Sequence, residues 1–181
     1  MPQIQSLLDA MEKLNYEIST ESRMVRVGLK DEQNMENILR QYPALTQLEV
    51  FLEIQNLASR QTDADQKERL ERLAFACLDL VLHAQIVALD DQFETFLAKA
   101  TAEVDGEKIA YQELYPRIQK EKDFSKREKL GAGAQRLHQQ GNPYLVEILE
   151  KQLFFLDHSA GFPDYISYCQ RKKNLDYPGF L

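Results

Sequence analysis

Histidine is scarce in this chain, three in 181 residues, and the three are followed by Ala84, Gln139 and Ser159. No histidine is therefore followed by glutamate, and the His-Glu-x-x-His arrangement of a zinc peptidase, two ligands and a general base on one helical face, is absent. Positive charge is also short: 22 lysines and arginines stand against 29 acids, a net charge of −7. Without a basic surface to neutralise phosphates, nucleic acid is excluded as a partner, and an anionic membrane surface is disfavoured. No apolar run approaches the roughly 20 uninterrupted residues that span a bilayer. The opening MPQIQSLLDAMEKLNYEI has no positive leader region and does not read as a signal peptide. Two cysteines, Cys77 and Cys169, lack the spacing of a disulfide framework and read as reduced thiols of a cytoplasmic protein. Tryptophan is missing, which excludes nothing.

What is present is helical periodicity. The length suits one domain, 1–181, with sub-units at 1–60 and 61–181. The spacing predicts a first helix over 4–27, with Leu7, Leu8, Met11, Leu14 and Ile18 on one stripe continued by Met24 and Val27, and Gly28 as its stop. A short helix from Asp31 closes at Tyr42-Pro43, because the residue before proline avoids the α region. A third runs from Pro43 with Leu45, Leu48, Phe51, Leu52 and either Val50 or Ile54 buried, and Thr62 or Asp63 caps the next. That next helix, about 65–102, carries two apolar stripes and reads as the centre of an all-α array. An Asp105-Gly106 turn then breaks the helical pattern inside a strand-like elbow at 104–109. Helices follow at 111–120, 125–139, 143–158 (with Asn142 as N-cap and Pro143 at its first position) and 164–172; Gly161 ends the third of these, and the tail 175–181 has no helical pattern. There is no internal repeat and no low-complexity tract.

Candidate chemistry is sparse. Asp79 and His83 stand four apart on the long helix, a spacing that can chelate a metal, yet two ligands make no site and a structural pair is the better reading. Glu-x-x-His, the di-iron carboxylate signature, is absent. Asp90, Asp91 and Glu94 read as a solvated acidic face. Asp157-His158-Ser159 spells a triad only on paper, since neighbours on a helix point in different directions. The small residues of KLGAGAQRL, 129–137, lack the context of a phosphate loop and are expected to let another helix approach. Tyr111, Tyr115, Tyr144, Tyr165 and Tyr168 suit core edges, or the lining of a peptide cleft. No catalytic, cofactor-binding or metal residue is assigned.

The order of several short motifs resembles the N-terminal helical region of the zinc oligopeptidases related to oligoendopeptidase F and angiotensin-converting enzyme. These motifs are Gly28-Leu29-Lys30-Asp31 with a helix ending at Tyr42, Phe93-Glu-Thr-Phe leading into Glu103-Val-Asp-Gly, Gln112-Glu113-Leu114, Asp123 to Arg127, and Ala160-Gly161-Phe162-Pro163-Asp164-Tyr165. Together they cover about Met24 to Phe180. In that family a later helix bears the zinc ligands, and the N-terminal helices wall a channel that admits short peptides. The resemblance thus implies a non-catalytic helical domain, a fragment or shortened homologue that stops near Leu181 before the zinc site. It implies no cofactor and no independent activity here, with peptides or a catalytic partner chain as partners. The alternative is a stand-alone helical adaptor that binds proteins or forms a homodimer. An all-α metalloenzyme built around Asp79, His83 and the Asp90 cluster is the remaining reading.

Overall fold

The computed structural model describes residues 2–175 and 179. Seven α-helices are found among the described residues: α1 (Pro2–Arg26), α2 (Met35–Leu39), α3 (Leu48–Ser59), α4 (Ala64–Lys99), α5 (Tyr111–Lys120), α6 (Phe124–His158) and α7 (Tyr165–Lys173). A 3-10 turn at Pro43–Leu45 and a hairpin of β1 (Thr101–Val104) and β2 (Glu107–Ala110) complete the order. The chain is all-α and contains the long helix α4 that its periodicity implies. Of the tail, 176–178 and 180–181 lie outside the described residues.

Contacts group the chain into two compact units: Met1–Glu17 with Glu36–Val87 and Leu149–Leu181, and Ile18–Met35 with Ala88–Ile148. Neither unit is a consecutive stretch such as 1–60 or 61–181.

The first unit is centred on Phe75 of α4. Its ring lies about 6 Å from those of Phe51, Phe162 and Tyr168, contributed by α3, the α6–α7 connection and α7. Cys77 and Leu78 are fully buried beside it, with Leu156 of α6 nearly so. An 18-residue window of α4 has mean hydropathy 1.7, enough by length and composition for a membrane span, and half of that window is buried inside the protein. Such a helix is equally what the core of a folded domain requires. Phe51 and Ile54 are buried on α3 as its period predicts, whereas Leu52 is half exposed. The helix does not begin at Pro43. Gln47 is extended there, with φ −103° and ψ 132°, and separates the 3-10 turn from α3. Asp63 caps α4, accepting the Gln66 amide at 2.9 Å. The α6–α7 connection turns through Gly161 at φ +72°, and the next residue, Phe162, plugs the core at 2 % exposure. Asp164 then caps α7 by accepting the Ser167 amide at 2.7 Å.

In the second unit α1 stops where Gly28 takes φ +72° and the Leu29 amide donates back to the Met24 carbonyl at 2.9 Å. Val25 is buried there; Val27, expected on the stripe, is exposed. Residues 31–34 are not helical, and α2 has only five residues. The amides of Gln33 and Asn34 find acceptors elsewhere, on Thr95 Oγ1 at 3.3 Å and Glu21 Oε1 at 3.1 Å, and that of Met35, which opens α2, is met by Asp91 Oδ1 at 2.9 Å.

The Asp-Gly signal marks a two-residue hairpin loop. Asp105 and Gly106 both have positive φ, 52° and 82°, as a type I′ turn requires, and Val104 pairs with Glu107 across it. The strand starts at Thr101, so α4 ends at Lys99 rather than near 102. Ala102 and Ile109, partners in the ladder, turn inward with Leu114, Leu130, Ala134 and Leu137 to form this unit's core.

The largest departure from expectation is α6, a single helix of 35 residues where two were expected. Asn142 caps nothing, and Pro143 sits inside the helix. An interior proline loses a backbone hydrogen bond and crowds the preceding turn, at about 3 kcal/mol. Packing offsets this cost: Gly141 lies against the Phe93 and Phe96 rings, and Tyr144 stacks on Phe96 with centroids 5.9 Å apart. The small residues near Gly133 do admit a close neighbour, but it is the hairpin. A Cβ at Gly133 would stand 3.1 Å from Ala102 Cβ and 3.3 Å from Val104 Cγ2.

The two glycines of that stretch should respond oppositely. Gly133→Leu overpacks the hairpin contact and should lower stability by about 1–3 kcal/mol in urea titration. Gly131 meets nothing within 4 Å, so Gly131→Ala should raise stability by about 0.5–1 kcal/mol through reduced backbone entropy.

Candidate functional site

The densest set of polar side chains in the first unit surrounds Asp79. A cavity of about 200 Å³ is lined by Asp79 and His83 of α4, Gln152 of α6, and Tyr165, Tyr168 and Lys172 of α7. The i, i+4 spacing predicted from sequence does put Asp79 and His83 on one wall. Asp79 is committed within the fold, however. Its Oδ1 accepts the Tyr168 hydroxyl, and its Oδ2 accepts Lys172 Nζ at 2.5 Å. Lys172 therefore supplies the positive charge that a metal ion would bring, and the donor set does not suit a cation site. Among the described residues, no three of His, Cys, Asp and Glu are grouped to hold a metal. Burial, with the Asp79 carboxylate second, pushes the Tyr168 phenol far above its ordinary range, so it stays protonated and keeps donating. The arrangement ties α7 to α4.

Cys77, completely buried, has its thiol pushed up to about 11 by desolvation and is no nucleophile. Both cysteines are free. Asp157 does approach its neighbour, with Oδ2 3.4 Å from His158 Nδ1. That same nitrogen bonds the Phe154 carbonyl at 3.0 Å, and the imidazole lies flat on the Phe154 ring with centroids 4.1 Å apart. Asp157 and His158 are exposed, and their arrangement is surface packing.

In the second unit the acidic run is not a solvated face. Asp90, Asp91 and Glu94 are half-buried, and Asp91 serves as the external cap on Met35. Burial raises the Glu94 carboxyl first, the Asp90 charge raises it further, and Arg26 partly opposes them. The five tyrosines do not form one cluster. Tyr165 and Tyr168 belong to the first unit, Tyr144 packs on Phe93 and Phe96, and Tyr111 with Tyr115 meets His138. Sequence reasoning passed over His138, whose partners lie more than twenty residues away along the chain; its only local signal was its place on a helix.

Exposed apolar side chains are the other feature. In the first unit, α6 presents Leu149 and Leu153, one turn apart and so on one face, at 50 % and 38 % exposure, with Phe154 next to them at 64 %. On α7, Tyr165 and Ile166 are likewise exposed.

Two substitutions separate structure from chemistry here. Tyr168→Phe removes a hydrogen bond to a charged, partly solvated acceptor and should cost about 1 kcal/mol, whereas Lys172→Met should cost no more than about 0.5 kcal/mol, as exposed ion pairs do. Glu94→Gln tests the second unit. A carboxyl whose folded pKa is raised opposes folding once ionised, and stability falls as pH rises through that value. Glu94→Gln should therefore be more stable than the parent at pH 7, with the gap closing below about pH 4; an unchanged gap across this range would refute the assignment.

Comparison of the chain with protein-family models, with curated proteins and with solved structures finds no match. The likeness to the zinc oligopeptidases rests on the sequence motifs alone.

Proposed function

We propose that this chain is a non-catalytic helical module that acts by binding, of the kind found at the N-terminus of oligoendopeptidase-like zinc peptidases, where helices wall a peptide channel. The observation that carries the reading is the α6 face of Leu149 and Leu153 beside Phe154. Single exposed apolar residues are ordinary, but consecutive ones on one helix face mark a surface built to be covered. The polar clusters support a binding role in a second way. Asp79, Asp91 and Tyr168 each spend their hydrogen-bonding capacity on holding the fold together. The free thiols suit a reducing compartment and hence a cytoplasmic setting. The motifs that carry the resemblance have local duties: Asp105-Gly106 closes the hairpin, and Phe162 and Asp164 set the start of α7. They are compatible with the peptidase scaffold and equally with an independent adaptor.

The deciding measurement is the intact mass of the protein captured from its own cells. A mass several tens of kilodaltons above 21.0 kDa, with His-Glu-x-x-His in the added sequence, supports the peptidase reading. A mass of 21.0 kDa overturns it in favour of the stand-alone adaptor. In either case Leu149→Glu with Leu153→Glu should leave helicity and unfolding unchanged, within about 0.5 kcal/mol for surface changes, while abolishing association through this face. Sedimentation of parent and variant, with and without the partner, reads the difference.

A further inference from the structure

The second unit holds an aromatic corner that the α6 reading does not use. Tyr111 and Tyr115 stand one turn apart on α5, and α6 brings His138 to them. The ring centroids are 6.4 Å apart at 89° for the two tyrosines, 5.8 Å at 76° for Tyr111 with His138, and 6.2 Å at 64° for Tyr115 with His138. The Tyr115 hydroxyl and His138 Nε2 are hydrogen-bonded at 2.8 Å, which fixes the two rings that come from different helices. Three rings meeting near right angles make the walls of a corner, and two of the three residues, Tyr115 and His138, are exposed.

A carboxylate lies within electrostatic reach of Tyr111. Glu94 of α4 is near enough to Tyr111 for its charge to help raise that phenol, after burial and Tyr115. Glu94 is itself half-buried, and Arg26 offsets only part of what burial and the Asp90 charge do to its carboxyl. A carboxylate so placed gains from an added positive charge, and aromatic faces attract cations through their quadrupoles. The chain's net charge of −7 would in addition draw a basic partner toward it.

We propose that the Tyr111–Tyr115–His138 corner, backed by Glu94, binds the cationic side chain of a lysine or arginine on a peptide or protein partner. The ring faces receive the cation, and the Glu94 carboxylate supplies the compensating charge from the α4 side. The inference goes beyond the α6 face and holds whichever partner that face takes.

The test uses the whole chain and a short blocked peptide with a central lysine, against the same peptide with norleucine in its place. Aromatic ring resonances are followed by NMR during titration. The lysine peptide should move the Tyr111, Tyr115 and His138 signals saturably, and the norleucine peptide should not. Tyr115→Leu should weaken the lysine peptide about two- to fivefold, the factor that an exposed cation–π contact supplies, and Glu94→Gln should weaken it as well. Because Glu94→Gln is expected to be the more stable protein, its loss of binding would not reflect unfolding. Equal shifts with norleucine, no shifts with lysine, or lysine binding indifferent to both substitutions in folded variants would each overturn the proposal. None of these outcomes alters what the intact mass says about the wider reading.

Discussion

Buried backbone must find partners, and in the second unit that requirement falls on the side chains of two helices. Residues 33 and 34 run without a helix and Met35 opens α2, and Gln33 and Met35 are buried. Thr95, Glu21 and Asp91 accept their amides in turn, while Glu21 also holds Lys30. An amide stripped of water and left without an acceptor costs about 1–3 kcal/mol, so leaving those of the buried Gln33 and Met35 unmet would remove a large part of a domain's ordinary stability. Glu21 is only 6 % exposed, and such burial of a carboxylate is sustainable only because a lysine and an amide answer it. The path of the chain from α1 into α2 depends on this set.

The first unit solves a different problem by apolar means. Phe75 gathers three rings from three elements, and the polar contact of Tyr168 with Asp79 lets a tyrosine join that core without stranding its hydroxyl. Glu21, Asp79, Asp91 and Tyr168 each complete a cap or a tie, and at the surfaces apolar and aromatic side chains remain open.

What the sequence made legible follows the range of the interactions. The hairpin turn was readable because Asp105-Gly106 states its own backbone geometry. Helix α5 fell where its period placed it, from Tyr111 to Lys120. By contrast, Asn142-Pro143 carried a strong local start signal that lost to Gly141 lying on Phe93 and Phe96, partners more than forty residues away. The acidic run looked solvated because nothing near it in sequence announced that Met35 would need Asp91. For the same reason the aromatic corner was invisible: Tyr111 and Tyr115 read only as core edges or cleft lining, nothing local pointed to His138, and only the fold brings them together.

The interleaving of the two units bears on the order in which the protein can form during synthesis. The second unit has all its residues once Ile148 has been made, whereas the first must wait for Leu156, Phe162 and Tyr168 to reach Phe51 and Phe75. Until then the apolar side of α3 and the first half of α4 has no lasting cover. A nascent chain at that stage exposes sticky helices for as long as the ribosome needs to add the final segment, roughly seconds at about 5–20 residues per second. The unit that holds residues 1–17 is thus the later of the two to close, because it also needs residues 149–181.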